Sequence, residues 1–138
     1  MKYYTVILDG IDKTGKDTIA GYIWRLDKRI NVICRGWPSL VVYAKKFNRN
    51  VDYALPYRNA LYVRLNVNKE DWNIRCAMTN EPEIDYDSDN KLFDEAFKTL
   101  KNSKYYVYSF NTSISTPFEI ASIIVQELKR MNNSIKEK

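Results

Sequence analysis

The residues best placed to do chemistry are Gly10-Ile11-Asp12-Lys13-Thr14-Gly15-Lys16-Asp17-Thr18. Gly10, Gly15 and Lys16 have the G-x₄-G-K spacing of a phosphate-binding loop. The two glycines let the backbone curl so that successive N–H groups point inward at an anion. The start of the following helix adds its positive dipole end, and Lys16 supplies a mobile charge for the β- and γ-phosphates. The motif closes on Ser or Thr, whose hydroxyl ligates Mg²⁺; this chain has Asp17 there. A carboxylate at the first turn of a helix repels phosphate, or it holds Mg²⁺ directly, because hard cations favour oxygen ligands. The competing reading is a plain tight turn with Lys16 in solvent. Chance alone produces the spacing in a chain this long with a probability of roughly a few per cent.

Bulk properties narrow the chemistry further. There is no histidine. That excludes a Ser-His-Asp triad, histidine-ligated zinc and a histidine general base. Chemistry must then rest on carboxylates, Lys, Arg and a metal ion. The net charge of +5 suits anionic ligands such as nucleotides. The basic residues are dispersed, so a solvated basic surface is favoured over a nucleic-acid patch. Cys34 and Cys76 lack metal-site spacing and read as buried free thiols in a reducing cytoplasm. The opening residues enter a strand directly, without a signal-peptide apolar region, and no apolar run approaches membrane-spanning length. The expectation is a cytoplasmic single domain over residues 1–138 with no membrane contact.

The elements that must hold the loop follow from periodicity. Tyr3 to Asp9 reads as a buried strand, and Lys16 to Lys28 as a helix with Ile19, Tyr22, Ile23 and Leu26 on one face. Ile30 to Arg35 reads as a second strand, broken by Gly36-Trp37-Pro38. Ser39 then caps a helix through Phe47, with Leu40, Tyr43, Ala44 and Phe47 at helical spacing. Ala60 to Val67 is a third strand and Lys69 to Met78 a helix; Thr79 to Asp89, acidic and holding Pro82, reads as a loop. A helix over Asn90 to Asn102, a strand over Tyr105 to Phe110, and a last helix opened by the capping box Thr116-Pro117-Phe118-Glu119 complete the chain. The tail from Asn132 reads as frayed. Strands alternating with helices imply an α/β fold, a three-layer sandwich with a mainly parallel sheet of about four strands covered on both faces.

Three stretches carry a family resemblance. Val6 to Thr18 resembles the first strand and loop of the thymidylate kinase group of nucleoside monophosphate kinases. Val32-Ile33-Cys34-Arg35-Gly36-Trp37-Pro38 resembles its second strand and Arg-x-Pro turn, with one extra residue. Leu61 to Leu128 resembles its C-terminal half at the level of pattern. The resemblance implies phosphoryl transfer from ATP, with Mg²⁺, to a deoxynucleoside monophosphate such as dTMP. It makes Lys16, Arg35 and Arg75 the catalytic set. Gly10, Lys13, Thr14 and Gly15 form the cradle, Asp12 faces the sugar and Thr18 stands near the α-phosphate. Arg35 would meet the acceptor phosphate, and Arg75 would close over the transferred one from a lid. Asp17 or Asp9 would hold Mg²⁺. Members of that group are about seventy residues longer. What this chain lacks lies between Pro38 and Leu61, including a strand ending in Asp-Arg. Without that strand, the second strand pairs directly with the first, or residues 51–55 fill the gap. A protein of this ancestry that had lost turnover would bind a nucleotide, a protein partner or a second copy of itself; the eleven tyrosines suit such an interface.

Overall fold

A computed structural model of the chain describes residues 4–49, 56, 58–77 and 85–136, with side chains as far as 133. The order is β1 (Thr5–Asp9), α1 (Lys16–Leu26), β2 (Asn31–Cys34), α2 (Trp37–Lys46), β3 (Ala60–Asn66), α3 (Lys69–Ala77), α4 (Tyr86–Asn102), β4 (Tyr106–Asn111) and α5 (Pro117–Lys136). The strands form one parallel sheet in the order β2-β1-β3-β4. The central strands, β1 and β3, are covered on both faces, so they read as near-continuous apolar runs. Val6, Leu8, Val63 and Leu65 meet Ile19 and Ile23 of α1 and Ile120, Ile124 and Leu128 of α5 on one face. Ile7 and Tyr62 meet Val42, Trp72, Phe93, Phe97 and Leu100 on the other. This is the α/β architecture expected from the alternation of strands and helices. β2 pairs directly with β1, Thr5 opposite Asn31 through Leu8 opposite Cys34. The alternative, a strand at 51–55, falls outside the described residues, as do residues 78–84 of the acidic loop. Among the described residues no helix is long and apolar enough to cross a membrane.

Several boundaries differ from the sequence expectation. Helix α1 stops at Leu26, which is exposed and off the packed face. Helix α2 starts at Trp37, not after Ser39, and buries Val41, Val42 and Ala44 while Leu40 and Phe47 face outward. Helix α4 starts at Tyr86 because the Asp85 carboxylate accepts the N–H groups of Asp87 and Ser88, so the end of the acidic stretch is helix rather than loop. The predicted capping box forms: Glu119 N–H donates to Thr116 Oγ1 at 3.2 Å, and Thr116 N–H donates back to Glu119 at 3.3 Å. Helix α5 runs on past Asn132, whose side chain is buried, to Lys136.

Candidate functional site

The C-terminal ends of β1 and β2 open onto a cleft of about 400 Å³, lined by Asp12, Lys13, Thr14, Gly15, Lys16, Asp17, Cys34 and Arg35. In a parallel α/β sheet this is the edge where ligands bind. The backbone explains the glycines. Gly10 has φ 143°, and a Cβ there would lie 2.3 Å from the Leu65 carbonyl oxygen. Gly15, at the N-cap of α1, has φ 87° and open space around it. Conformation alone requires glycine at Gly15, whereas Gly10 is also pressed against the backbone of β3.

Lys16 and Arg35 are engaged by oxygens of the cleft itself. Lys16 is only 7 % exposed and donates to the Ile11 carbonyl at 2.7 Å and to Thr14 Oγ1 at 3.1 Å. Burial pushes its ammonium below the ordinary lysine value; Asp9 and Asp12 oppose that shift. Arg35, left-handed at φ 69°, directly follows β2 and pairs its guanidinium with Asp12 across the cleft mouth. Asp17 is exposed at the first turn of α1. The Cys34 thiol is pushed up, first by burial and then by the negative charge of Asp17. Cys34 was legible only as an isolated thiol, although its place just before Arg35 at the strand end was the available signal. Thr18 is exposed and lies outside the cleft lining.

Asp9 sits below the cleft with its side chain fully buried. One oxygen accepts Gly10 N–H at 2.9 Å and the Ser39 hydroxyl; the other accepts Gly36 N–H at 3.1 Å and Ser39 N–H at 2.8 Å. Burial raises its carboxyl above the ordinary value, against the four hydrogen bonds. The carboxylate therefore caps α2 from β1, the task the sequence assigned to Ser39. Gly36 makes the approach possible, since a Cβ there would meet the Ile7 side chain at 2.7 Å.

Arg75 reaches the loop from α3, through backbone: it donates to the Lys13 carbonyl at 2.6 Å and to Thr112 Oγ1 at 3.3 Å. On the other side of Arg35 a groove of about 390 Å³ runs along α2, lined by Ser39, Leu40, Tyr43, Ala44 and Arg49. Phe47 stacks on Tyr43 with ring centroids 6.3 Å apart, and the Arg49 guanidinium lies 5.5 Å from the Phe47 centroid. Sequence reasoning missed this groove because the Leu40-Tyr43-Phe47 spacing reads equally well as a core stripe.

The fold is similar to that of YorR from Bacillus subtilis, whose crystal structure was determined in complex with phosphorylated GDP. The two share 21 % identity with a TM-score of 0.71, over 91 % of this chain and 95 % of that one. The likeness establishes the fold. No protein-family model matches the sequence, and no curated protein does.

The two carboxylates differ in their fitness to hold Mg²⁺. Asp9 does not fit, because both its oxygens are committed to N–H and O–H donors. Asp17 fits: it is an exposed carboxylate on the cleft wall, and Mg²⁺ is commonly held by one or two carboxylates together with substrate phosphates. No group of three or more His, Cys, Asp or Glu able to hold a metal occurs among the described residues.

Proposed function

We propose that this protein binds a nucleoside triphosphate in the glycine loop and transfers its terminal phosphoryl group to a deoxynucleoside monophosphate such as dTMP. The observation that carries the reading is the convergence of Lys16, Arg35, Asp12 and Asp17 on one cleft. YorR, of the same fold, was solved with phosphorylated GDP, which supports a nucleotide here. In this reading Lys16 leaves Ile11 and Thr14 for the β- and γ-phosphates, and the loop amides take the remaining oxygens. Arg35 leaves Asp12 for the acceptor phosphate, which lies towards the α2 groove, and the freed Asp12 accepts a sugar hydroxyl. An acceptor phosphate oxygen forms the new P–O bond as the bond to ADP breaks; positioning and charge neutralisation carry such a step. Mg²⁺, held by Asp17 and phosphate oxygens, would supply further neutralisation. ADP release measured with ATP, Mg²⁺ and each deoxynucleoside monophosphate tests the proposal. Turnover that Lys16→Ala abolishes is the expected result; turnover indifferent to Lys16→Ala contradicts it. A second reading, binding without turnover, is favoured by Asp17 at the helix start, where its charge opposes phosphate. It predicts nucleotide binding with no ADP release for any acceptor.

A further inference from the structure

One loop residue is left-handed without being glycine. Lys13 has φ 68°, a conformation that costs any residue with a Cβ. Such strain persists where surrounding groups over-determine it. Arg75 meets this residue: its Nη1 donates to the Lys13 carbonyl at 2.6 Å and to Thr112 Oγ1 at 3.3 Å. Thr112 is itself fixed, since its N–H, at 2.7 Å, and its hydroxyl, at 3.1 Å, both donate to the Asn66 carbonyl at the end of β3. The hydroxyl proton is spent on Asn66, so a lone pair of Oγ1 faces Arg75. A chain of bonds thus runs from the sheet through Thr112 and Arg75 to the backbone of the loop. Both bonds leave one nitrogen of the guanidinium, whose two N–H groups point in fixed directions in its plane.

We propose that Arg75 is a positioning residue: it holds Lys13 in its left-handed conformation and so keeps the loop amides in the shape that accepts phosphate, rather than meeting the transferred phosphate itself. The proposal rests on the nucleotide reading above and changes the part Arg75 plays in it. It is tested by titrating ADP and inorganic pyrophosphate into the wild type, Arg75→Ala, Lys13→Gly and the double variant. Hydrogen exchange of the loop amides is followed in the same samples. Losing a bond between a charged donor and the loop should weaken both ligands about tenfold in Arg75→Ala. Glycine adopts φ 68° without strain. In the Lys13→Gly background the same change should therefore cost less than about threefold, a coupling that only neighbouring residues show. Thr112→Val, which removes the anchor but leaves Arg75, should act in the same direction more weakly, and it serves if Arg75→Ala does not fold. An Arg75 effect equal in both backgrounds overturns the proposal. So does an effect confined to the turnover number with ADP affinity unchanged. If the wild type binds neither ligand, the nucleotide reading fails, and exchange alone decides: faster loop exchange in Arg75→Ala supports the positioning role and unchanged exchange overturns it.

Discussion

Asp9→Asn isolates the cap that joins the loop to α2. The amide is isosteric with the carboxylate but keeps only one acceptor oxygen. Placed with that oxygen towards Gly36 N–H and Ser39 N–H, it preserves both backbone bonds to α2, at 3.1 and 2.8 Å. Its NH₂ then faces Gly10 N–H and the Ser39 hydroxyl, the former partners of the other oxygen. The hydroxyl can rotate and accept; the Gly10 N–H cannot, and stays buried without an acceptor. A stranded buried donor costs about 1–3 kcal/mol. Burial disfavours the charge on Asp9, so losing that charge returns part of the cost, and the net destabilisation should be about 2 kcal/mol. For a chain of this size that is a fall in Tm of about 4–8 °C. Asp9→Ala strands every donor and should lose about 4 kcal/mol or more. Urea unfolding followed by tryptophan fluorescence gives the comparison, with Trp72 buried beside β3 and α4 as an internal reporter. An Asn variant within about 0.5 kcal/mol of the wild type, or an Ala variant no worse than Asn, refutes the four-donor cap.

Gly10→Ala and Gly15→Ala should separate by cause. The first drives a Cβ against the Leu65 carbonyl and should cost about 3 kcal/mol in urea unfolding; the second meets open space and should cost about 1 kcal/mol for its conformation alone. Lys16 gives a pH signature. Its folded pKa lies below the ordinary 10.5, so the native state binds that proton less tightly than the unfolded chain does. Its contribution to stability is present above pH 10.5 and is lost as pH falls through the folded value. Phosphate favours the charged ammonium, so ADP affinity should fall as pH rises through that same value. Affinity flat up to pH 10.5, measured by titration at several pH values, contradicts the placement of Lys16.

The parts of the molecule visible in the sequence are those encoded locally. The glycine loop, its strand and its helix lie within one short run, and the capping box at Thr116 and Glu119 is three residues long in reach. Alternation of strands and helices likewise gave the parallel sheet. What was hidden depends on distant partners. Asp9 caps a helix 27 and 30 residues away, so Ser39 looked like the cap when it is one of the donors. Arg75 meets Lys13 across 62 residues, and nothing in the local pattern of α3 distinguishes a guanidinium bound to backbone from one waiting for phosphate. Periodicity detects a helix without saying which face is wet, so the spacing of Leu40, Tyr43, Ala44 and Phe47 marks α2 but not that Leu40 and Phe47 face outward. At α4 the signal was present: Asp85 stands just before a helical pattern, but the run of acids around it reads as loop.

In the proposed function the cleft above β1 and β2 takes a nucleoside polyphosphate through Lys16 and the loop amides. Calorimetric titration of ATP with Mg²⁺ into the wild type and Lys16→Ala tests it most directly. One site in the wild type is predicted, weakened about thirtyfold or more in Lys16→Ala, the scale of losing charge-assisted bonds worth about 2 kcal/mol. A folded wild type that binds no ATP, or a Lys16→Ala variant that binds it equally well, contradicts the account.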